Sequence, residues 1–291
     1  MQSIKVSLVF ITFNNEGIIR KSIGSFIKFV GKYIDEIIVF DNASVDRTVE
    51  EVKSINCHKI KIFKSHENLG YRRALNIVIN IATNELIIVS NPDVYLIDNS
   101  LEYLINTVNN DKKIGLGCPI PLTQKRLAER PIISCILYKT KSINELRDIN
   151  AVIETQVGGG SIFIIRKNVF KEIGGLSEEC FMYGEEIEMS YKILNRGYKI
   201  IWDTRARVIH EHGYSTRRVK DDLLKDKIIS SFYCSLLNCY KHVYKDRIIF
   251  HKILFFVLYF LFVIFRATYK LSLNDLKKGI SIVLGILGKP N

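Results

Sequence analysis

Asp93 closes the stretch Glu85-Leu86-Ile87-Ile88-Val89-Ser90-Asn91-Pro92-Asp93. Leu86–Val89 is an unbroken apolar run of the kind buried on both faces of a parallel sheet, and Pro92, which cannot donate a ladder hydrogen bond, ends the pairing. A carboxylate just beyond the carboxyl end of such a strand lies where open α/β sheets bind ligands, and it can hold a hard divalent cation against a phosphate. Two further apolar runs stop in the same way, at Thr12-Phe13-Asn14 and at Asp41-Asn42-Ala43-Ser44. Phe13 offers a flat face to a base, and Asp41 an acceptor for a base or ribose donor. Farther along, Phe181-Met182-Tyr183-Gly184-Glu185-Glu186-Ile187-Glu188 sets three carboxylates at the head of a helical pattern. One of them, tuned by burial, can act as a general base. Val208-Ile209-His210-Glu211-His212 ends a strand pattern with two imidazoles on one strand face. Every cluster has a plain structural reading as well: Asp93 as a helix cap, Asp41-Asn42 as a turn, the glutamates as charge suited to a helix N-terminus, the histidines as surface groups. Three polar clusters at three strand ends outweigh that reading.

The elements that must carry these groups alternate. Val6–Ile11, Glu36–Phe40, Lys59–Phe63 and Leu86–Val89 read as strands, with helical spacing between them at Gly17–Val30, at Val49 and Val52, and at Tyr71–Ala82. Strand–helix alternation of this kind predicts an α/β fold with a mostly parallel central sheet flanked by helices, and in such a sheet the three clusters converge on one crevice. Residues 110–155 are the least patterned: Ile114–Cys118 suggests a strand, and Pro119, Pro121 and Pro131 suggest a loop. A strand over Ser161–Ile165 and a helix from Lys167 to Ile173, ended by Gly174-Gly175, follow.

Composition divides the chain in two. The net charge of +12 is concentrated at the end: residues 216–291 hold 14 Lys/Arg against 5 Asp/Glu, leaving 28 against 25 in the first 215. Within this basic tail Ile253–Phe265 is wholly apolar for 13 residues between Lys252 and Arg266. A bilayer span takes about 20 apolar residues, so the run suits a helical segment lying in the cytoplasmic leaflet, ahead of a buried helix or a dimer interface, with a span left open. No nucleic-acid partner is expected, because the basic residues interleave with a greasy run and not with aromatic stacking platforms. The six cysteines form no CxxC pair and no metal-ligand spacing, and read as thiols of a reducing compartment. The apolar start contains Lys5 and gives way to Thr12-Phe13-Asn14-Asn15 too soon for a secretory signal.

Taken together, Val6–Asn14, Ile38–Ser44, Asn68-Leu69-Gly70 through Asn76 to Asn91-Pro92-Asp93, and Gly159–Met189 with His210–Ser215 resemble the family 2 glycosyltransferases of GT-A fold, particularly their bacterial rhamnosyltransferase-like branch. The blocks run in the family's order and spacing over Val6–Ser215. The resemblance implies a transferase domain over 1–215, and the basic, apolar tail reads as a membrane-associated helical region over 216–291. It implies nucleotide binding by Thr12, Phe13 and Asp41, with Asn14 and Asn42 in the same clusters, and a DXD motif in the form Asn91-Pro92-Asp93. Asp93 and His210 would then contact a divalent cation, Mg²⁺ or Mn²⁺, and Glu186 would stand where the family carries its catalytic aspartate. Glu186 is one methylene longer than that aspartate, which keeps Glu185 and Glu188 open as the base. Arg72 and Arg73, beside Gly70, are within reach of phosphate or form a solvated helix face. The implied partners are a nucleoside-diphosphate sugar, with dTDP-rhamnose as one donor, a lipid-linked glycan acceptor and a membrane surface on the cytoplasmic side. The weakened positions Asn91 and Glu186 leave a catalytically silent nucleotide-sugar-binding or scaffold subunit as the alternative. Nucleotidyl transfer, which would release pyrophosphate, is a further one.

Overall fold

A computed structural model describes residues 3–122 and 150–211, with Leu224 and Ser231. The expected tail helices, the apolar run and His212 lie outside the described residues. The first half builds as its pattern requires: β1 (Val6–Thr12), α1 (Ile19–Val30), β2 (Ile34–Asp41), α2 (Thr48–Lys53), β3 (Ile60–Lys64), α3 (Tyr71–Ile81) and β4 (Leu86–Ser90). Then come β5 (Val94–Tyr95), α4 (Leu101–Asn110), β6 (Ile114–Leu122), β7 (Val152–Thr155), β8 (Ile162–Arg166), α5 (Lys167–Glu172), α6 (Glu185–Asn195) and β9 (Lys199–His210).

The described strands join one sheet in the order β3-β2-β1-β4-β8-β6-β9-β5, with β7 also on β9. Successive strand residues face opposite sides, so each apolar run serves two layers. Val9, Ile87 and Phe163 pack with Leu75 and Ile79 of α3 and Phe170 of α5. Leu8, Ile37 and Ile88 pack on the other side with Ile23 and Phe26 of α1 and Leu104 of α4.

The sheet is mixed: β1, β2, β3, β4, β6 and β9 run one way, and β5, β7 and β8 run the other. β1 pairs in parallel with β2 and β4, and β2 with β3, whereas β8 enters antiparallel between β4 and β6. Strand–helix alternation holds only as far as β4. Beyond it the chain returns through β8, which needs no crossover from β4, and β5 and β7 then pair antiparallel with β9. A second difference lies in β6, which continues through Pro119 and Pro121 instead of ending at Cys118. Its ladder to β8 covers only Leu116 and Gly117, and past that point β6 pairs with β9 alone, with a register shift between Pro119 and Ile120. Prolines are tolerated on a strand where one side carries no ladder. Of the cysteines, Cys57 and Cys118 are free thiols, but Cys180 is disulfide-bonded, so the reading of all six as thiols does not hold.

At the amino-terminal edge of the parallel strands, Glu36 of β2 fastens β1, β3 and the turn before β4. It accepts from Ser7 Oγ (2.6 Å), Thr83 N–H (2.6 Å) and Thr83 Oγ1 (2.7 Å), and it pairs with Lys61 (2.8 Å). Burial alone would raise its carboxyl, but Lys61, Ser7 and Thr83 overcome that and hold it down at about 2 from 4.5. A carboxylate depressed on folding stabilises the native state above its unfolded pKa, and the contribution disappears as pH falls through the folded value. Glu36→Gln is therefore expected to cost roughly 2–3 kcal/mol at pH 7. The gap to wild type should close between pH 4.5 and about 2, as read by urea denaturation across that range.

Candidate active site

The registers bring the three strand-end clusters together. Thr12 lies opposite Asp41 and Phe10 opposite Ser90, so β1, β2 and β4 finish on one edge. Thr12 Oγ1 donates to Asp41 Oδ1 (3.2 Å), and Asp41 Oδ2 accepts from Ser44 N–H (3.3 Å). Thr12 and Asp41 are fully buried, with the half-buried Phe13 beside them. Asn14, held at a positive φ of 55°, ties the loop after β1 to the loop after β2: its N–H donates to Ser44 Oγ (2.9 Å) and its Oδ1 accepts from Val45 N–H (2.9 Å). Asn42 is likewise a tie. Its amide donates to Asn68 Oδ1 (2.9 Å) and the Gly70 carbonyl (3.3 Å), and its Oδ1 accepts from Leu69 N–H (2.8 Å). Its amide is committed to shaping the turn into α3.

Asp93 and His210, 117 positions apart, meet. Val94 of β5 pairs with His210 of β9, and Glu211 N–H donates to the Asp93 carbonyl (3.0 Å). This ladder sets His210 Nε2 at 3.2 Å from Asp93 Oδ1, with the two residues only 6% and 7% exposed. Asp93 caps no helix: it stands between the end of β4 and β5. Asn91 N–H donates to the Ser161 carbonyl (2.8 Å), so the Asn91–Asp93 turn abuts the start of β8. Among the described residues no group of three His, Cys, Asp or Glu side chains gathers to hold a metal. Asp93 and His210 nevertheless fit a Mg²⁺- or Mn²⁺-type site, because such ions take one or two protein ligands and complete their shell with substrate phosphate and water.

The acidic head of α6 lies over the same edge. A Cβ built on Gly160 would sit 3.5 Å from Glu186 Oε2 and 3.8 Å from Glu185 Oε1, and Gly160 adjoins the Ser161 that Asn91 holds. The antiparallel entry of β8 thus carries Gly160, the last of the run Gly158–Gly160, under the glutamates. Burial pushes the Glu185 carboxyl up against the pull of Arg72 and backbone N–H groups, and Glu188 adds to the rise. Among the described residues Glu185 Oε2 is buried with no hydrogen-bond partner.

Glu188 and Arg72 correct two expectations at once. Both are fully buried and form an ion pair. Glu188 also accepts from Ser177 N–H (2.8 Å) and pairs with Lys192 (2.8 Å), while Arg72 donates to the Tyr183 carbonyl from Nη2 (2.8 Å). Burial would raise the Glu188 carboxyl, but Lys192, Arg72 and Ser177 hold it low. Glu188 is therefore a structural anion, and Arg72 is sequestered from any phosphate. Arg73, half exposed, pairs with Glu178 at 3.8 Å. Sequence reasoning passed over Tyr71 and Gly160. The signal for both was glycine: Gly70 adopts φ +79°, where a Cβ would strike the Phe181 carbonyl, and Gly160 ends a run of three.

Residues 7–174 match the family model described as Glycosyl transferase family 2. The O-antigen chain rhamnosyltransferase RfbN of Salmonella typhimurium is 26% identical over 219 residues, which are 73% of this chain and 68% of that protein. The N-acetylglucosaminyl-diphospho-decaprenol L-rhamnosyltransferase of Mycobacterium tuberculosis is 24% identical over 213 residues, 62% of this chain and 68% of that one. Among solved structures, TarS 1–349 of S. aureus aligns at a TM-score of 0.59 with 14% identity, covering 98% of this chain and 80% of its own. GalNAc-T7, crystallised with UDP, GalNAc and Mn²⁺, aligns at 0.58 with 21% identity over 72% of this chain and 43% of its own. The shared architecture is GT-A-like.

Breaking a buried ion pair from one side leaves an uncompensated charge and costs about 3–5 kcal/mol, whereas replacing both partners with apolar groups is far milder. Arg72→Met and Glu188→Met should each fall in that range, with the double variant well short of their sum. A denaturation double-mutant cycle reads this directly.

Proposed function

Because the chain belongs to the family 2 glycosyl transferases, we propose that it moves a sugar from a nucleoside-diphosphate donor to a hydroxyl of a lipid-linked glycan, with inversion at the anomeric carbon. The observation that carries this reading is the meeting of Asp93 and His210 at the strand ends, beside the turn that also abuts the glycine run under Glu185 and Glu186. One edge of the sheet thereby supports both an acidic-and-imidazole pair for the diphosphate end and a carboxylate for the acceptor end.

The nucleoside lies against Phe13 and the Thr12–Asp41 pair, and the diphosphate approaches Asp93 and His210. A divalent cation held by those two residues would offset charge developing on the departing diphosphate. Glu186, at the position of the family's catalytic aspartate, takes the proton from the acceptor hydroxyl as general base. The new C–O bond forms as the bond to the diphosphate oxygen breaks, so no covalent enzyme intermediate is needed. Glu185, whose carboxyl is pushed up by burial in the direction that suits a general base, is the alternative to Glu186 in that role. The relatives' names favour a deoxyhexose donor such as dTDP-rhamnose and an acceptor on a lipid diphosphate. That acceptor and the basic apolar sequence of residues 216–291 support a position on the cytoplasmic face of a membrane, with 1–215 as the transferase domain. No helix of the described residues is long and apolar enough to cross a membrane.

A ligand bound only by the folded state raises apparent stability by about 2.7 kcal/mol at 100 times its Kd. Thermal-shift screening of dTDP-, UDP- and GDP-sugars should find one that stabilises the wild type in the presence of Mn²⁺, with the shift abolished in Asp93→Ala and in His210→Ala. Binding without release of nucleoside diphosphate, across metals and lipid acceptors, would instead identify a silent subunit.

Loss of a general base costs about 10²–10⁴-fold in rate. Glu186→Gln should lower kcat by that factor while the nucleotide-sugar thermal shift is kept. Glu185→Gln should retain more activity, and a reversal of this ranking in steady-state kinetics would move the base to Glu185.

A further inference from the structure

Two buried polar atoms next to the acidic head of α6 have no hydrogen-bond partner among the described residues: Tyr71 Oη and Glu185 Oε2. They belong to one neighbourhood. Tyr71 begins α3, and its N–H donates to the Phe181 carbonyl (2.8 Å), four residues before Glu185. Gly70 makes that approach possible, since a side chain there would strike the same carbonyl and its ring. The next residue on α3, Arg72, pins the same segment through Glu188 and the Tyr183 carbonyl. The heads of α3 and α6 are thus fixed against each other by two independent ties, one backbone and one ionic. Burial is the main reason the Tyr71 phenol is held protonated, and the negative charges of Glu185 and Glu186 add to it. The phenol therefore remains an O–H donor at any ordinary pH.

A buried donor and a buried acceptor, each left unmade, are each destabilising. Elsewhere among the described residues comparable groups are well supplied: the buried Arg166 guanidinium donates to the carbonyls of Ile114, Val108 and Asp111, and Glu36 has Ser7, Thr83 and Lys61. A site built to hydrogen-bond a substrate hydroxyl has this unsatisfied form before the substrate arrives, and it rejects an analogue lacking the hydroxyl because its own groups are then left unpaired. Taking the site as one of sugar transfer, we infer that Tyr71 Oη and Glu185 Oε2 form a two-point binding site for a single sugar hydroxyl, with the phenol donating to the hydroxyl oxygen and the carboxylate oxygen accepting the hydroxyl proton. Tyr71 is then a specificity-determining residue next to Glu186, the carboxylate assigned to the chemistry.

Tyr71→Phe removes the hydroxyl and keeps the ring, so it separates substrate recognition from packing. Because it deletes a buried, unpartnered polar atom, its Tm should equal or exceed that of the wild type. Its kcat/KM, followed as nucleoside diphosphate release with the donor that stabilises the wild type and a synthetic N-acetylglucosaminyl diphospholipid, should fall roughly 10- to 100-fold. Discrimination against one monodeoxy substrate should weaken by the same factor. If the deoxy position lies on the diphospholipid sugar, the bound hydroxyl belongs to the acceptor; if it lies on the nucleotide sugar, the hydroxyl belongs to the donor. A lowered Tm, an unchanged kcat/KM or unchanged deoxy discrimination overturns the inference. A wild type inactive with every nucleotide sugar removes the premise and the inference together, whereas an active wild type matched by Tyr71→Phe removes the inference alone.

Discussion

The buried pair of Arg72 and Glu188 is the constraint on which the arrangement of the active edge depends. Two fully desolvated charges hold a fixed geometry, because any displacement leaves each of them unpaired in a medium that cannot hydrate it. Arg72 rides on α3, which follows the strand-end turns of the first half, and Glu188 rides on α6, which follows the Phe181–Gly184 segment of the second. Their contact, reinforced by Lys192, Ser177 and the Tyr183 carbonyl, sets where the head of α6 stands relative to β1, β2 and β4. Asn42 contributes from the other side by shaping the Asn68–Gly70 turn that launches α3. A chain of polar contacts therefore runs from the end of β2 to the glutamates.

The mixed sheet serves the same purpose by a different route. In a wholly parallel sheet every strand would arrive at the active edge with its carboxyl end. Here β8 runs the other way, so it is its amino-terminal approach, the side-chain-free run Gly158–Gly160, that reaches the edge, with Gly160 beneath Glu185 and Glu186. β9, parallel to β6, delivers His210 at its carboxyl end, and the two-residue β5 suffices to lock that end to the Asn91–Asp93 turn. Three kinds of strand end thus supply polar loops, a close-approach backbone and an imidazole.

How far this was legible from sequence follows from the range of each signal. β1, β2, β4 and the helices between them announce themselves by local apolar period, and their convergence needs only the rule that parallel neighbours finish together. Asp93 and His210 could be named from residue type and family order, and the β5–β9 ladder bears out their proximity. The direction of β8 was not legible, because a short apolar run has the same pattern whichever way it points. Pro119 and Pro121 suggested a loop, since proline forbids a donor but does not reveal that β6 has lost its ladder on one side there. Arg72 was misplaced for a related reason. A polar residue beside a functional turn looks the same in sequence whether it faces substrate or anchors the turn, and only burial separates the two.

The distribution of satisfied and unsatisfied polar groups adds a last constraint. Far from the active edge, buried charges such as Arg166 and Glu36 are surrounded by partners, as an interior of low dielectric demands. At the edge, the same chain tolerates a buried phenol and a buried carboxylate oxygen that no described residue satisfies, one turn from an ion pair strong enough to hold them there. Such local departures from polar satisfaction concentrate where a fold is shaped for something other than its own stability. The Arg72–Glu188 tie and the Tyr71–Phe181 backbone contact fix the heads of α3 and α6 beside these atoms. The ion pair that stabilises the domain and the unpaired atoms that destabilise it are in that sense parts of one arrangement.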